Sequence, residues 1–409
     1  MRYLIAAMLG LLVAPIASSA EPGLAAAARS ILGSHQGVYV EAADGTVLLA
    51  QLADRPVHPA SVSKVPTTLA LLRKFGPEHR FTTTFAASGR ILDGTLYGDL
   101  WVQSDGDPSL VDEDALLVAE RLNEIGIRRV AGDLRPRGSL IFDWQSEADR
   151  ALRHALSGLT PAAAWETVRT LQAANSPNSG VRPGIQFVAT TEPPQASIAG
   201  LAAAELLDNR PLIVHQSQPL VSLVKALNDY SNNIFMSFAD AAGGVAVVES
   251  VARGAVPESM RSEIILGDGA GTDPSNRLSP RAAVKLLRAL ENELAVTGNA
   301  LYDVLPVSGV DDGTLQERLN APQEIGRVVG KTGTFGSYGA SALIGAIATS
   351  DRGTVYFAIL NHDVPVPQAR RRQDRFVRAL LRRLHSVPWK YQRDVRPDVA
   401  RTQVLIAPR

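Results

Sequence analysis

The 409-residue sequence predicts an α+β fold in two parts, with a core supplied by both ends of the chain and a different kind of module between them. Three observations carry this. Apolar helical periods occupy 62–72, 219–228, 280–294 and 368–384. The stretch 325–360 alternates strand and turn. Between about 86 and 195 the texture changes to short alternating segments cut by Gly/Asp turns, ending in an Ala-, Pro- and Ser-rich run. The expected organisation is a leader at 1–20, a core at 21–85 and 196–388, an inserted mixed module at 86–195 and a tail at 389–409.

The elements follow in order. Arg2, an apolar run at 4–17 and the small residues Ser18-Ser19-Ala20 read as a Sec-type signal peptide cleaved after Ala20. The run is shorter than the ~20 residues that span a bilayer, and the expected location is the periplasm. A short helix is expected at 24–32, then a hairpin about Asp44-Gly45. Proline in His58-Pro59-Ala60-Ser61 stops the extended chain, and 62–72 reads as a helix, which puts Ser61 at a helix start. In the module, 95–103 and 132–142 read as strands, 112–125 and 162–174 as helices, and 175–180 as a loop. In the last third, 340–349 and 354–360 are strands of an antiparallel meander. The final helix, 368–384, keeps Phe376, Val377, Leu380, Leu381 and Leu384 on one face.

Composition narrows the chemistry. Lys plus Arg equals Asp plus Glu at 41 each, so net charge gives no case for a nucleic-acid partner. Cysteine is absent, which excludes disulfides, thiol nucleophiles and cysteine-ligated metals. Three motifs stand in order: Ser61-Val62-Ser63-Lys64, Ser231-Asn232-Asn233 and Lys331-Thr332-Gly333-Thr334, or SxxK, SxN and KTG. A serine hydroxyl is a poor nucleophile until a base takes its proton. Lys64 lies one turn from Ser61, and burial together with the charge of Lys331 would lower its pKa to make that base. Ser231 would pass the proton to the leaving amine, and Asn233 would hold Lys64 and a substrate peptide group. Lys331 would attract a substrate carboxylate, bonded by the Thr332 and Thr334 hydroxyls. Gly333 would let the substrate lie close to the strand, and the N–H groups of Ser61 and Thr334 would form an oxyanion hole.

SxxK and SxN each occur by chance about once in a chain this long, and decoys are present. Ser222-Leu223-Val224-Lys225 falls inside a helix, where its hydroxyl would bond back to the backbone. Ser176-Pro177-Asn178 falls in a loop. His58 and the Asp107-Pro108 pair read as turn residues. Trp101 and Trp144 read equally as sugar platforms or packing. The arginines at 370, 371, 372, 375, 378, 382 and 383 read as a solvated helix face that still admits peripheral membrane association.

The chain resembles the class C low-molecular-mass penicillin-binding proteins, the D-alanyl-D-alanine carboxypeptidase/endopeptidase family. Besides the motifs, the likeness rests on Gly98-Asp99-Leu100, Gly106-Asp107-Pro108-Ser109-Leu110, His215 to Asn233, Asn276-Arg277-Leu278-Ser279-Pro280, the segment 305–310 and Gly313-Thr314-Leu315. It covers most of 35–362 and is weakest at 143–195. Three departures stand out: a shortened insertion, Asn232 where aspartate is common, and Asp268-Gly269-Ala270-Gly271 where a central serine is usual. The resemblance implies a transpeptidase/serine β-lactamase-like core, an antiparallel five-stranded sheet flanked by helices. It also implies an acyl-enzyme on Ser61, peptidoglycan stem peptides as substrate, β-lactams as covalent inhibitors, and no metal or organic cofactor. Two rivals are a serine β-lactamase or D-amino-acid esterase on the same core, and a non-catalytic wall-binding protein.

Overall fold

The computed structural model describes residues 23–146, 148–175, 180–189 and 206–408. The leader and the Ser176-Pro177-Asn178 decoy lie outside the described residues. The expected antiparallel five-stranded sheet is present. Its strands run in the order Val328–Phe335, Ala340–Ala348, Thr354–Asn361, Gly37–Ala42 and Val47–Gln51, so the KTG strand is an edge. The register pairs Lys331 with Ile344 and Thr334 with Ser341.

The sheet's central strands are covered on both faces, and their side chains sort by the two-residue pleat. Ala342, Ile344, Ala346, Tyr356, Ala358 and Leu360 face a core shared with the helices Lys64–Phe75 and Pro280–Val296. Leu343, Ile347, Val355, Phe357 and Ile359 face the opposite core, closed by Leu24–Leu32 and Val366–Arg383. Two-sided burial is why these strands read as nearly unbroken apolar runs. Gln373, fully buried, ties the C-terminal helix to the sheet by donating to Ser341 Oγ (3.1 Å) and Asn361 Oδ1 (2.8 Å).

A second sheet has its own core. It runs Gln186–Val188, Arg129–Ala131, Thr95–Tyr97, Thr82–Leu92, Leu206–Gln216 and Gln403–Ile406, with Leu100–Asp105 and Leu134–Ser139 branching from Thr82–Leu92. The helices Asp112–Glu124 and Ala162–Asn175 form as the periodicity predicts. The tail carries a strand that the sequence did not suggest. After Trp389 N–H donates to Gly326 O (2.8 Å) and Tyr391 OH to Asp311 Oδ1 (2.7 Å), the chain crosses to the second sheet, where Ile406 pairs with Ile213. The tail therefore straps the two sheets together.

His215 is the electrostatic staple of the second sheet. It is fully buried, with Nδ1 2.9 Å from Asp107 Oδ2 and Nε2 3.1 Å from Asp114 Oδ1. Neither contact is well directed as a hydrogen bond, so the attraction is chiefly between charges. Asp114 also accepts from Thr402 Oγ1 (2.8 Å), which links the staple to the tail. Burial opposes protonation of the imidazole. The Asp114 charge and the two carboxylate contacts overcome it and hold the pKa at about 10. Asp107 thus serves the fold, as the turn reading expected.

The surface tryptophan readings resolve toward packing. Trp101 donates to Ser88 Oγ (2.8 Å), and the Arg137 guanidinium lies 3.8 Å above its ring, so that face is taken. Trp144 packs against the main core. No single helix among the described residues is long and apolar enough to cross a membrane.

A histidine whose folded pKa exceeds its unfolded value of about 6.5 stabilises fully below that value and loses its contribution as pH rises through the folded pKa. His215→Gln, which leaves two buried carboxylates without their cation, is expected to cost about 3–5 kcal/mol near neutral pH. Denaturant melts of both proteins from pH 6 to 10.5 check this: the gap between them should narrow as pH approaches about 10. A gap independent of pH would show that His215 is neutral in the fold.

Candidate active site

The nucleophile turn is tighter than the sequence reading. A 3₁₀ turn, Ala60–Ser63, precedes the α-helix Lys64–Phe75. In a 3₁₀ turn residues i and i+3 eclipse, which sets Lys64 directly beside Ser61, with Nζ 2.9 Å from Oγ. Ala60, at the head of the turn, has φ 49°, a conformation that costs energy for any residue with a Cβ. His58 holds it there. Its Nδ1 accepts the Ala60 N–H (3.1 Å), which leaves the proton on Nε2 to donate to Asp273 O (3.0 Å), while the ring stacks on Phe335 at 4.6 Å. Burial pushes the His58 pKa down. Both ring nitrogens are engaged, so His58 is a structural turn residue and not a base for Ser61.

Lys64 draws three remote segments together. Its Nζ contacts Ser61 Oγ, Ala270 O (2.7 Å) and Asn233 Oδ1 (3.3 Å). The residue is completely buried, and burial lowers its pKa to about 7 against the opposing charge of Asp268. A neutral amine has two N–H donors and one lone pair. The carbonyls of Ala270 and Asn233 can only accept, so they take the donors, and the lone pair is left facing the Ser61 hydroxyl.

The loop that presents Ala270 is locked by Asp268. Its carboxylate accepts from the backbone N–H groups of Gly271 (2.6 Å), Thr272 (2.9 Å) and Asp273 (3.0 Å), and from Asn276 Nδ2 (3.0 Å). Burial opposes ionisation here, but the Thr272 hydroxyl, which also donates to this carboxylate, and the bonds from Asn276 and the backbone hold the carboxyl below the usual range. Gly271 has φ 86°, and a Cβ there would lie 1.9 Å from Ala60 O. At the Ala-for-Ser departure the group that reaches Lys64 is the main-chain carbonyl, and the Ala270 residue itself is buried.

Ser231 closes the helix Leu220–Tyr230 in a left-handed conformation, φ 58°. Its Oγ accepts from Lys331 Nζ at 2.9 Å. Asn232 Oδ1 accepts the Ile234 N–H (2.9 Å), so the middle residue of SxN shapes the turn. The decoy lysine, Lys225, lies behind this motif, bonded to Leu305 O (2.7 Å) and paired with Asp311 and with Asp229 (3.4 Å).

Two expectations for the KTG strand need correction. Lys331 is enclosed rather than open to solvent. It is fully buried, its ammonium donates to Ser231 Oγ and Thr332 O (3.0 Å), and burial with the nearby Lys64 charge pushes its pKa well below the ordinary range. Gly333 makes room for the nucleophile turn and not for substrate. A Cβ there would meet Pro59 O at 2.7 Å and Ala60 Cβ at 3.1 Å. Thr332 is nearly buried and Thr334 is exposed. Thr334 Oγ1 accepts from Arg370 Nη2 at 2.9 Å. Sequence reasoning missed Arg370, which it placed among seven solvated arginines; only the helix's docking on the sheet singles it out.

A profile of the D-Ala-D-Ala carboxypeptidase 3 (S13) family matches residues 24–151 and 198–382. The chain belongs to that family. It is accordingly a serine-type hydrolase of the peptidoglycan carboxypeptidase/endopeptidase group. Among curated relatives, a D-alanyl-D-alanine carboxypeptidase from Actinomadura sp. (strain R39) is 27% identical, the match covering 81% of this chain and 78% of that protein. The carboxypeptidase DacB of Mycolicibacterium smegmatis is 25% identical over 83% of this chain and 78% of its own. Among solved structures, a predatory endopeptidase from Bdellovibrio bacteriovorus superposes with a TM-score of 0.72 at 21% identity, covering 88% of this chain and 95% of its own. Penicillin binding protein 4 from Haemophilus influenzae gives 0.60 at 19%, covering 88% and 99%. These two show that the fold is shared.

Gly333→Ala tests the packing of the nucleophile turn on the KTG strand. The added methyl must push Pro59 and Ala60 away, and a shift of about 1 Å at a reacting atom costs on the order of 10²-fold in rate. The second-order rate of acylation by a fluorescent penicillin should fall by about that factor while the far-UV circular dichroism spectrum is retained. Acylation at the parent rate would mean that the turn's contact with the strand is dispensable.

Proposed function

We propose that this S13 enzyme hydrolyses D-alanyl-D-alanine stem peptides, and D-alanyl cross-links, in the periplasm through an acyl-enzyme on Ser61. The observation that carries the residue assignment is the Ser61 Oγ to Lys64 Nζ contact of 2.9 Å, made to an amine whose burial brings its pKa to about 7. About half of such an amine is a free base near neutral pH, the condition for efficient proton transfer.

The reaction then runs as follows. Lys64 takes the Ser61 hydroxyl proton as Oγ bonds to the carbonyl carbon of the penultimate D-alanine. The carbonyl oxygen becomes an oxyanion between the N–H groups of Ser61 and Thr334. As the C–N bond breaks, the Ser231 hydroxyl gives its proton to the leaving amine of D-alanine, the Lys331 ammonium 2.9 Å away replaces it, and the proton that Lys64 took from Ser61 passes on to Lys331, so Lys64 is neutral again. Water then attacks the ester with Lys64 as its base, releasing the shortened peptide and restoring Ser61. Asn233 orients Lys64 and bonds the substrate peptide group, and Thr332 lines the strand along which substrate lies. A Bdellovibrio bacteriovorus endopeptidase whose structure is acylated by penicillin G shares this fold and supports β-lactams as covalent inhibitors here.

Intact-mass analysis after incubation with a fluorescent penicillin tests the reading. Wild type should gain one adduct, Ser61→Ala none, and Ser222→Ala, altered at the decoy, the full adduct. Because the competent form of Lys64 is the amine, the acylation rate should rise as pH increases through about 7. Lys64→Ala should lose about 10²–10⁴-fold. An adduct persisting in Ser61→Ala would remove the nucleophile assignment.

A further inference from the structure

The Ser231 to Lys331 contact of 2.9 Å joins the end of a helix to the middle of a sheet-edge strand. A largely buried segment, 304–311, spans these two elements. On the strand side, Pro306 O accepts the Gly330 N–H (3.0 Å), the Ser308 N–H donates to Val328 O (2.9 Å), and Val307 pairs with Val329. On the helix side, Asn228 Nδ2 donates to Val304 O (2.9 Å). Just past the segment, the Thr314 N–H donates to Asp229 O (2.8 Å). That approach needs the glycine before it: Gly313 has φ 86°, and a Cβ there would lie 2.2 Å from Asp229 O.

Lys225, in the same helix as Asn228 and Asp229, grips the segment at two points. Its ammonium donates to Leu305 O (2.7 Å) and to Asp311. Asp311 is itself buried and also accepts the Val307 N–H (2.8 Å) and the Tyr391 OH (2.7 Å). Asp229, one helical turn on from Lys225, lies 3.4 Å from the same ammonium. A lysine has three N–H donors, and here a carbonyl and two carboxylates take them. Removing the cation would leave Asp311 as an unpaired charge away from water, so the clamp does not open cheaply.

We propose that Lys225 is a positioning residue for proton delivery: by clamping segment 304–311 to the helix, it holds the Ser231 hydroxyl within reach of Lys331 and aimed at the leaving nitrogen. This rests on the proposed function. It gives a task to the lysine of the second SxxK, which the chemistry at Ser61 does not use. Lys225 touches neither substrate nor the reacting atoms and acts through the helix end that carries Ser231.

A leaving nitrogen departs as an amine and must gain a proton as the C–N bond breaks. A leaving thiolate needs none, since thiols ionise at about pH 8.5. The test therefore compares kcat/KM on the full chain for two matched substrates, an acyl-D-alanyl-D-alanine peptide and the thioester with sulfur in place of its leaving nitrogen. A displacement of about 1 Å costs on the order of 10²-fold, so Lys225→Met should lose about that factor on the peptide and keep the thioester rate to within about twofold. Lys225→Arg, which retains a cation for Asp311, should recover part of the peptide rate. Equal losses on both substrates in a folded Lys225→Met, or no loss on either, would overturn the inference. If Lys225→Met does not fold, Tyr391→Phe, which lacks just the outer bond to Asp311, is read by the same ratio. A smaller loss confined to the peptide supports the inference, and an unchanged ratio overturns it. Wild type that hydrolysed neither substrate and formed no penicillin adduct would remove the proposed function and this inference with it, whereas an unchanged ratio with the Ser61 adduct intact removes this inference alone.

Discussion

The site is organised by one buried amine. Placing the Lys64 ammonium in a water-excluded interior is costly, and the protein meets that cost by letting the group lose its proton. What remains is a neutral amine that needs two acceptors and one donor. Ala270 O, Asn233 Oδ1 and the Ser61 hydroxyl supply them from three segments far apart in sequence. Each segment is held rigid separately. His58 sets the backbone ahead of Ser61, Asp268 closes the loop of Ala270, and Asn232 turns the chain after Ser231. Disturbing any one of these leaves the amine with an unmatched partner.

The main sheet and its helices were legible because they bury regular stripes. A helix with a 3.6-residue apolar period, or a strand buried on both faces, announces itself in the sequence. The second sheet was much less so. The strand Leu206–Gln216 carries Asp208, Asn209, Arg210 and Pro211, and its register shifts around them. Those irregularities let a proline sit within a paired strand, and they also erase the two-residue alternation. Three of its strand pairs among the described residues are parallel and join segments well separated in the chain, which local pattern does not reveal. The strand Gln403–Ile406 has four residues, too few for a periodic signal.

At the site, the three motifs named the reacting side chains, but roles that depend on facing were not readable. The glycine of KTG looked like space for substrate, and the structure fills that space with Pro59 and Ala60. Its lysine read as a fixed cation for a substrate carboxylate, and the structure buries it on Ser231. The Ala-for-Ser departure looked like a lost hydroxyl, while the group that reaches Lys64 there is a carbonyl present in every residue. Conversely, Arg370 carried no motif. Its neighbours in sequence are equally basic, and what distinguishes it is the helix rotation that brings it alone to Thr334.

Two lysines in a dry pocket repel one another when both are charged, so the pair is driven toward losing protons, which suits groups that must accept and return them. Arginine does not titrate in the working range and is at home at a partly wetted rim. The burial pattern therefore separates two settings: the amines of Lys64 and Lys331 are enclosed, and the guanidinium of Arg370 is exposed.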